Sequence, residues 1–195
     1  MNILTDKLPE KVRVGDDVFE LNTDYRAGIE FEIMVEKGED NNKALLKPFF
    51  YGKVPDDLAK AATAALWFYS CGAVPKGDNV GKNNKQTYSF DTDAQTICAD
   101  FRRFYGIDLS GGNYLHWWTF RALLFGLPED SGFKTRIYYR TCKLSDLPKK
   151  ERARIASIRK SIEIKSDTSG KMTLVERNEK MRAYVLKRNK ETEGV

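Results

Sequence analysis

LHWWTFRALLFGLP, residues 115–128, is the stretch that decides the fold of this chain. It contains two of the three tryptophans, the only histidine and a single charged residue, Arg121. Apolar side chains fall on nearly every side of a helical wheel with 3.6 residues per turn, and a helix of that kind has to be buried. The sequence therefore predicts a helical core built around these residues.

Composition places the chain among globular proteins. Charged residues make up 31% and hydrophobic residues 41%, which is typical of a folded domain rather than a disordered one. No apolar run approaches the roughly 20 residues needed to cross a bilayer. The first residues, MNILTD, lack the basic and apolar blocks of a signal peptide. We therefore expect a protein that is made and kept in a cytoplasm.

Periodicity predicts one hairpin followed by helices. Apolar and polar residues alternate on both sides of Gly15, Asp16 and Asp17, which predicts a β-hairpin over 11–21. Helical spacing and capping residues predict helices that begin near residues 23, 43, 55, 91, 113, 131, 148 and 172, with Asn22 or Thr23 as the cap of the first and Gly106 as the stop of the fourth. The expected fold class is mostly α: a compact multi-helix domain (1–165) with a short N-terminal β-hairpin, and a basic C-terminal helical extension (166–195).

Charge is distributed unevenly along the chain. Residues 1–133 carry 15 Lys and Arg against 20 Asp and Glu, whereas residues 134–190 carry 18 against 6. A basic region on an acidic body is typical of proteins that bind nucleic acid, an acidic protein or their own copies. No aromatic residue lies between Thr141 and Ala183, so a platform for stacking single-stranded bases is not expected. The basic face expected on the helix beginning near Pro148 consists of Lys149, Lys150, Arg152, Arg154, Arg159 and Lys160.

Residues that could perform chemistry are few. A nucleophilic triad or a zinc site would have to include His116, whose aromatic neighbours favour packing instead. Asp91 and Asp93 resemble the start of a calcium loop, but Thr96 stands where such a loop needs glycine, so a helix cap is favoured. The three cysteines form no C-x-x-C pair. We therefore expect no enzymatic activity, no cofactor and no metal site.

Three blocks of sequence together form a family pattern. The first is MNILTDKLPEKV at 1–12 with NTDYR at 22–26. The second begins with YSFD at 88–91 and ends with YGIDL at 105–109. The third is LHWWTFRAL at 115–123 with GLP at 126–128 and YR at 139–140. The pattern resembles the gene-product-fifteen family of tailed bacteriophages and prophages over roughly residues 1–160, and the HWWxFRA block is its most specific part.

The resemblance implies a role in tail morphogenesis. It implies a protein encoded near the tape-measure gene that acts as a tail assembly chaperone in the host bacterial cytoplasm and can be absent from the mature virion. The partners implied are the tape-measure protein and the tail-tube protein of the same phage, with self-association as a further option and no membrane. The alternatives are a basic DNA-associated phage protein and a structural component of the virion tail.

A chaperone needs exposed apolar surface for its client, and aromatic residues and arginine are favoured anchors. The family carries no agreed catalytic or ligand positions, so these candidates come from the residues alone. The candidate partner-binding residues are Phe49, Phe50 and Tyr51, beside a loop, and Trp117, Phe120, Arg121 and Leu124, on the side of the tryptophan-rich helix expected to face outwards. For Phe120, burial in the core is the favoured alternative.

Overall fold

The structure is a computed structural model that describes residues 2–73 and 86–164. Within these ranges the chain forms a two-stranded antiparallel hairpin and seven α-helices, which confirms the predicted mostly α fold with its N-terminal hairpin. The elements are β1 (Lys11–Val14), β2 (Asp17–Glu20), α1 (Tyr25–Glu36), α2 (Asn42–Leu46), α3 (Leu58–Tyr69), α4 (Ala94–Tyr105), α5 (Trp117–Phe125), α6 (Gly132–Thr141) and α7 (Lys149–Ser161). The helix predicted from 172 onward and the extension 166–195 lie outside the described residues.

Several helices begin later than their sequence pattern predicts, because the capping residue lies further along the chain. Asp24, rather than Asn22 or Thr23, caps α1 by accepting a hydrogen bond from the backbone N–H of Arg26. Asp57 caps α3, so this helix begins three residues after Pro55. α5 likewise begins at Trp117 instead of near 113. The helix ends are closer to the prediction, since α4 stops where Gly106 adopts a left-handed φ of 68°.

Contacts within the chain divide it into two compact units. Among the described residues, unit 1 comprises 2–73 and 114–120, and unit 2 comprises 86–113 and 121–164. The division is finer than the single domain expected over 1–165. The proposed boundary between 165 and 166 lies at the edge of the described residues and stays a prediction.

The core of unit 1 is mainly aromatic. Phe31 of α1 packs against Phe49 and Tyr69 with ring centroids 5.1 Å apart in both pairs. The carboxylate of Glu32, also buried, accepts a hydrogen bond from the Tyr69 hydroxyl. Offset and edge-to-face ring pairs add stabilisation to the burial of their apolar area. Packing between aromatic rings therefore contributes much of the stability of unit 1.

Side chains of β1, in the hairpin of unit 1, alternate between a buried and an exposed face, as is expected of a strand with one face in the core. Val12 and Val14 are buried, whereas Lys11 and Arg13, which alternate with them along the strand, are exposed. The turn places Gly15 at a φ of 65°, and it is the only residue of the turn with a positive φ, the pattern of a type II′ turn. The hairpin thus forms as predicted and buries its valines.

Unit 2 has a buried ionic centre. The carboxylate of Asp93, fully buried at the start of α4, lies 2.6 Å and 2.8 Å from two guanidinium nitrogens of Arg140 in α6. It also accepts bonds from Arg136 and from the backbone N–H of Ser89. Arg140 in turn donates to the carbonyl oxygen of Ile162, just beyond α7. One carboxylate and one guanidinium therefore join four segments of unit 2.

A second buried carboxylate of unit 2 caps a helix from a distance. Asp100, on α4, accepts hydrogen bonds from the backbone N–H groups of Gly132 and Phe133 at 3.2 Å and 2.7 Å. These N–H groups belong to the first turn of α6 and have no acceptor within that helix. The contact is close, since a Cβ on Gly132 would lie 2.7 Å from a methyl carbon of Thr96. Asp100 therefore fixes where α6 begins against α4.

Candidate functional site

The HWW triplet consists of His116, directly before α5, and the first two residues of that helix, and its two indoles cap another helix. The indole N–H of Trp117 donates to the carbonyl oxygen of Tyr69 at 2.9 Å, and that of Trp118 to the carbonyl oxygen of Phe68 at 2.7 Å. Both carbonyls belong to the last turn of α3, beyond the N–H groups of the helix itself, and that of Phe68 also accepts from the backbone N–H of Cys71. The most distinctive residues of the sequence therefore hold the end of α3 inside unit 1.

Close approach of Trp117 explains a glycine in the middle of a helix. A Cβ placed on Gly28 of α1 would lie 2.5–2.6 Å from three carbon atoms of the Trp117 ring. Glycine costs about 1 kcal/mol relative to alanine inside a helix, so α1 gives up intrinsic helix stability to admit the indole. Trp117 also stacks on Tyr69 with ring centroids 5.4 Å apart.

His116 is engaged on both sides of its ring. Nδ1 accepts a hydrogen bond from the backbone N–H of Trp118 at 3.1 Å, which leaves Nε2 to carry the proton and donate to the carbonyl oxygen of Pro9 at 3.3 Å. Burial lowers the pKa of His116 below the ordinary value of 6.5, against the opposing effects of Pro9 and Glu10. The neutral ring is therefore a packing element with both nitrogens in use. In the portions of chain that the structure describes, no cluster of three or more His, Cys, Asp or Glu is placed to hold a metal ion.

Burial changes the set of candidate partner-binding residues. The expectation that Trp117 and Leu124 face outwards is wrong, because each has 0% exposed surface, and Phe120, also 0% exposed, lies in the core as its favoured alternative had it. Phe49 and Phe50 are likewise buried beneath the surface of unit 1. The two candidates that remain accessible are Tyr51, which is 60% exposed, and Arg121, which is half-buried. Apolar periodicity predicted these side chains as a group but not the direction in which each one points.

The predicted basic face on α7 separates into two groups. Arg159 is half-buried, and it donates to the carbonyl oxygens of Tyr139 and Cys142 at 2.7 Å and 2.5 Å. Arg152 donates to the carbonyl oxygen of Leu147 at 2.9 Å and to that of Ser145. Both arginines therefore help to hold unit 2 together. The exposed cations left for a partner are Lys149, Lys150, Arg154 and Lys160.

An open groove of about 530 Å³ lies beside β1 in unit 1. The β1 groove, as we call it, is lined by Lys11, Val12, Arg13, Gly15, Lys60, Thr63, Ala64 and Trp67. The four lining residues of α3 follow the spacing i, i+3, i+4, i+7 and so lie on one face of that helix. Trp67 is half-buried on this face, with its ring edge-on to Trp118 at 5.7 Å.

Sequence reasoning did not identify the β1 groove, although one signal was present. The apolar stripe of α3 runs through Ala61, Ala62, Ala65 and Leu66, all of which are buried. Trp67 lies off this stripe, on the face that carries Lys60. A large aromatic residue on an otherwise polar helix face is a sign of a contact surface.

Membrane-spanning potential and similarity to known proteins both concern nearly all of the described residues. Among the described residues, no helix is both long enough and apolar enough to cross a membrane. Neither the curated proteins nor the solved structures give a match. The family model for the bacteriophage Gp15 protein matches residues 4–164, which include the hairpin, all seven described helices and the HWW triplet. The chain belongs to the bacteriophage Gp15 protein family.

Proposed function

We propose that this protein is a tail assembly chaperone, without enzymatic activity, that binds the tape-measure protein, tail-tube subunits or both during phage tail morphogenesis. The observation that carries the proposal is the family match over residues 4–164, together with the role that the resemblance to this family implies. The proposed place of action is the cytoplasm of the host bacterium, before the virion is complete.

Exposed aromatic side chains support a role in protein binding. Tyr51 and Tyr114 are about 60% exposed in unit 1, and Tyr138 and Phe125 are 51% and 41% exposed in unit 2. Aromatic residues are enriched at protein interfaces because they contribute large contact areas. The buried tryptophans of α5 are committed to the core, so a client has to be bound by accessible residues of this kind.

Co-expression with a hydrophobic fragment of the tape-measure protein tests the proposal. We expect the fragment to be recovered in the soluble fraction only when this protein is present, and less of it when Tyr51→Ser and Arg121→Ser are introduced together. Lys37→Ser, which replaces an exposed residue of unit 1 outside the candidate set, is the control and is expected to retain full rescue. A fragment that stays insoluble while this protein is abundant and folded would contradict the chaperone proposal.

The exposed cations of α7 favour a second candidate, a DNA-associated phage protein. Contacts between cations and phosphates make binding strongly dependent on salt. Replacing Lys149, Lys150, Arg154 and Lys160 with glutamine should abolish a salt-sensitive shift of duplex DNA if this candidate is correct. Arg152 and Arg159 stay unchanged in that variant because they bind backbone carbonyls. A shift that survives the four substitutions, or no shift at low salt, contradicts DNA binding through this face.

Retention in the finished particle separates a chaperone from a structural tail component. A chaperone that leaves after assembly is expected to be absent from purified virions, whereas a tail component is present in a fixed copy number. Quantitative mass spectrometry of purified particles distinguishes the two roles.

A further inference from the structure

One edge of β1 directs its backbone groups away from the hairpin. Leu21 donates its backbone N–H to the carbonyl oxygen of Glu10 at 2.8 Å. Hydrogen-bonded and non-hydrogen-bonded pairs alternate along an antiparallel ladder, so Val12 and Val14 bond across to β2 in the register observed. The N–H and C=O groups of Lys11 and Arg13 therefore point to the outer edge. In the described ranges the sheet has only the two strands, and no third strand pairs with this edge.

The outer edge of β1 lies beside a face of α3 that could contact the side chains of an added strand. The β1 groove contains both the edge residues and the α3 face that ends in Trp67. Side chains of a strand alternate between its two faces. In a strand laid along β1, every second side chain would lie on the same face as buried Val12, towards Ala64 and Trp67, and the others on the face of exposed Lys11 and Arg13. A segment that alternates apolar and polar residues fits both faces.

The charges that line the β1 groove indicate which polar residues an added strand would carry. The lining of the β1 groove contains three cations and no acidic residue. Lys11 and Lys60 form ion pairs with Glu20 and Asp57 at 3.3 Å, but all four side chains are about half exposed or more, so these pairs are weak and exchangeable. Among the described residues, Arg13 forms no ion pair. An acidic strand would satisfy these cations.

The same charges disfavour a second copy of this chain as the occupant. Pairing of two β1 edges would bring Lys11 and Arg13 of one copy opposite the same residues of the other. Like charges directly opposite one another in a sheet are destabilising, and lysines on an edge strand are a known device against self-pairing.

We infer that the edge of β1 and the β1 groove bind an extended segment of another polypeptide, in which acidic residues alternate with apolar ones, as a third strand of the sheet. Backbone hydrogen bonds to Lys11 and Arg13 provide affinity, and the cations together with Trp67 provide selectivity, as in other cases of β-strand addition. The inference goes beyond the proposed function, because it concerns the chemistry of the bound strand and not the identity of the protein that supplies it.

Calorimetric titration of the full chain with synthetic peptides tests the inference. The probe is a peptide of about eight residues, a common strand length, in which Glu alternates with Val. We expect binding of this peptide, at least about fivefold weaker binding when Lys replaces Glu, and none when a central proline interrupts the strand. Arg13→Glu and Thr63→Glu each place an acid in the groove and should weaken binding about fivefold or more, whereas Lys43→Glu, outside the groove, should not.

Proline substitutions test the backbone contact itself. Arg13→Pro removes an outward N–H without removing a hydrogen bond to β2, and an edge strand tolerates proline at such a position. Arg13→Gln removes the same charge but keeps the N–H, so we expect Arg13→Pro to bind the acidic peptide at least about fivefold more weakly than Arg13→Gln. Val18→Pro removes an outward N–H on the opposite edge, at the partner of Arg13 in the register, and should bind normally.

Circular dichroism of each variant establishes that the fold is intact, and Thr63→Glu keeps the test decisive if a proline variant fails to fold. Equal binding of the lysine and glutamate peptides, no binding of the glutamate peptide, or equal losses for Arg13→Pro and Val18→Pro would overturn the inference. Because no tape-measure fragment is used, these results are separate from those of the co-expression test.

Discussion

Fully buried rings pack the cores of both units, but in unit 2 the helices are also joined through Asp93, Asp100 and Arg140. The indole N–H groups of the two tryptophans of α5 donate to carbonyl oxygens at the end of α3. The buried carboxylates of Asp93 and Asp100 each accept hydrogen bonds from α6, which is 32 or more residues further along the chain. Unit 1 is therefore expected to respond mainly to changes of volume, and unit 2 to changes of charge as well.

Loss of the carboxylate of Asp93 is the largest expected effect. Asp93→Ala leaves the guanidinium of Arg140, which is only 6% exposed, without its partner. Breaking a buried pair in this way destabilises a protein by about 3–5 kcal/mol. Urea unfolding followed by circular dichroism measures the change. Asp56→Ala, which removes an exposed ion pair with Lys53, is the control and should change the stability far less, because exposed pairs are screened by solvent. Equal costs for the two variants would contradict the ionic description of unit 2.

A single methyl group should have the next largest effect, in unit 1. Gly28→Ala raises helix propensity, yet its Cβ would collide with the ring of Trp117. Overpacking of this kind costs about 1–3 kcal/mol, which outweighs the gain of about 1 kcal/mol from propensity unless the ring can move. The free energy of unfolding measures the balance. Glu30→Ala, on the exposed side of the same helix, should change it by no more than about 0.5 kcal/mol. A Gly28→Ala protein as stable as the wild type would show that the ring adjusts.

Removal of the cap from α6 should have an effect of similar size in unit 2. Asp100→Ala leaves the backbone N–H groups of Gly132 and Phe133 without their acceptor. Loss of a helix cap costs about 1–2 kcal/mol. Amide hydrogen exchange should show the faster exchange concentrated in the first turn of α6. Exchange that stays slow at these two amides would mean that another group takes the place of the carboxylate.

Mild acid should produce the smallest effect and separate the two units. The pKa of His116 is lowered by burial, so its contribution to stability is fully present above about pH 6.5 and is lost as the pH falls through its lowered pKa. His116→Gln should abolish this pH dependence, as measured by urea unfolding across the range. A wild-type stability that does not change there would argue against the neutral, buried ring.

Asp93 responds only to stronger acid. Burial alone would raise its pKa, but the hydrogen bonds from Arg140 and Ser89, with the charge of Arg140, outweigh burial and hold the pKa below the usual 3.8. Its contribution is therefore present above about pH 3.8 and is lost as the pH falls through the lowered pKa. Unit 1 is thus expected to respond at a higher pH than unit 2.

Local patterns predicted the elements better than the contacts between them. The hairpin and the stop at Gly106 follow from turn chemistry within a few residues, and both were predictable. The pattern of Asp91 and Asp93 predicts a helix cap with the helix beginning near Asp91, whereas Asp93 occupies the N-cap of α4 and its side chain makes no capping bond there. Its partner Arg140 lies 47 residues away, and no periodicity indicates such a pairing. Likewise, the apolar pattern of α5 predicted burial but could not show that Leu124 points inward.

The placement of the tryptophans has a practical consequence for optical work on this protein. All three lie in unit 1, so tryptophan fluorescence, excited where tyrosine does not absorb, reports on that part of the described chain. Trp117 and Trp118 share hydrogen bonds to the end of one helix, whereas Trp67 is half-exposed in the β1 groove. A Trp67→Phe protein would isolate the signal of the two enclosed indoles, and the difference from the parent spectrum would be a label-free record of events at the groove.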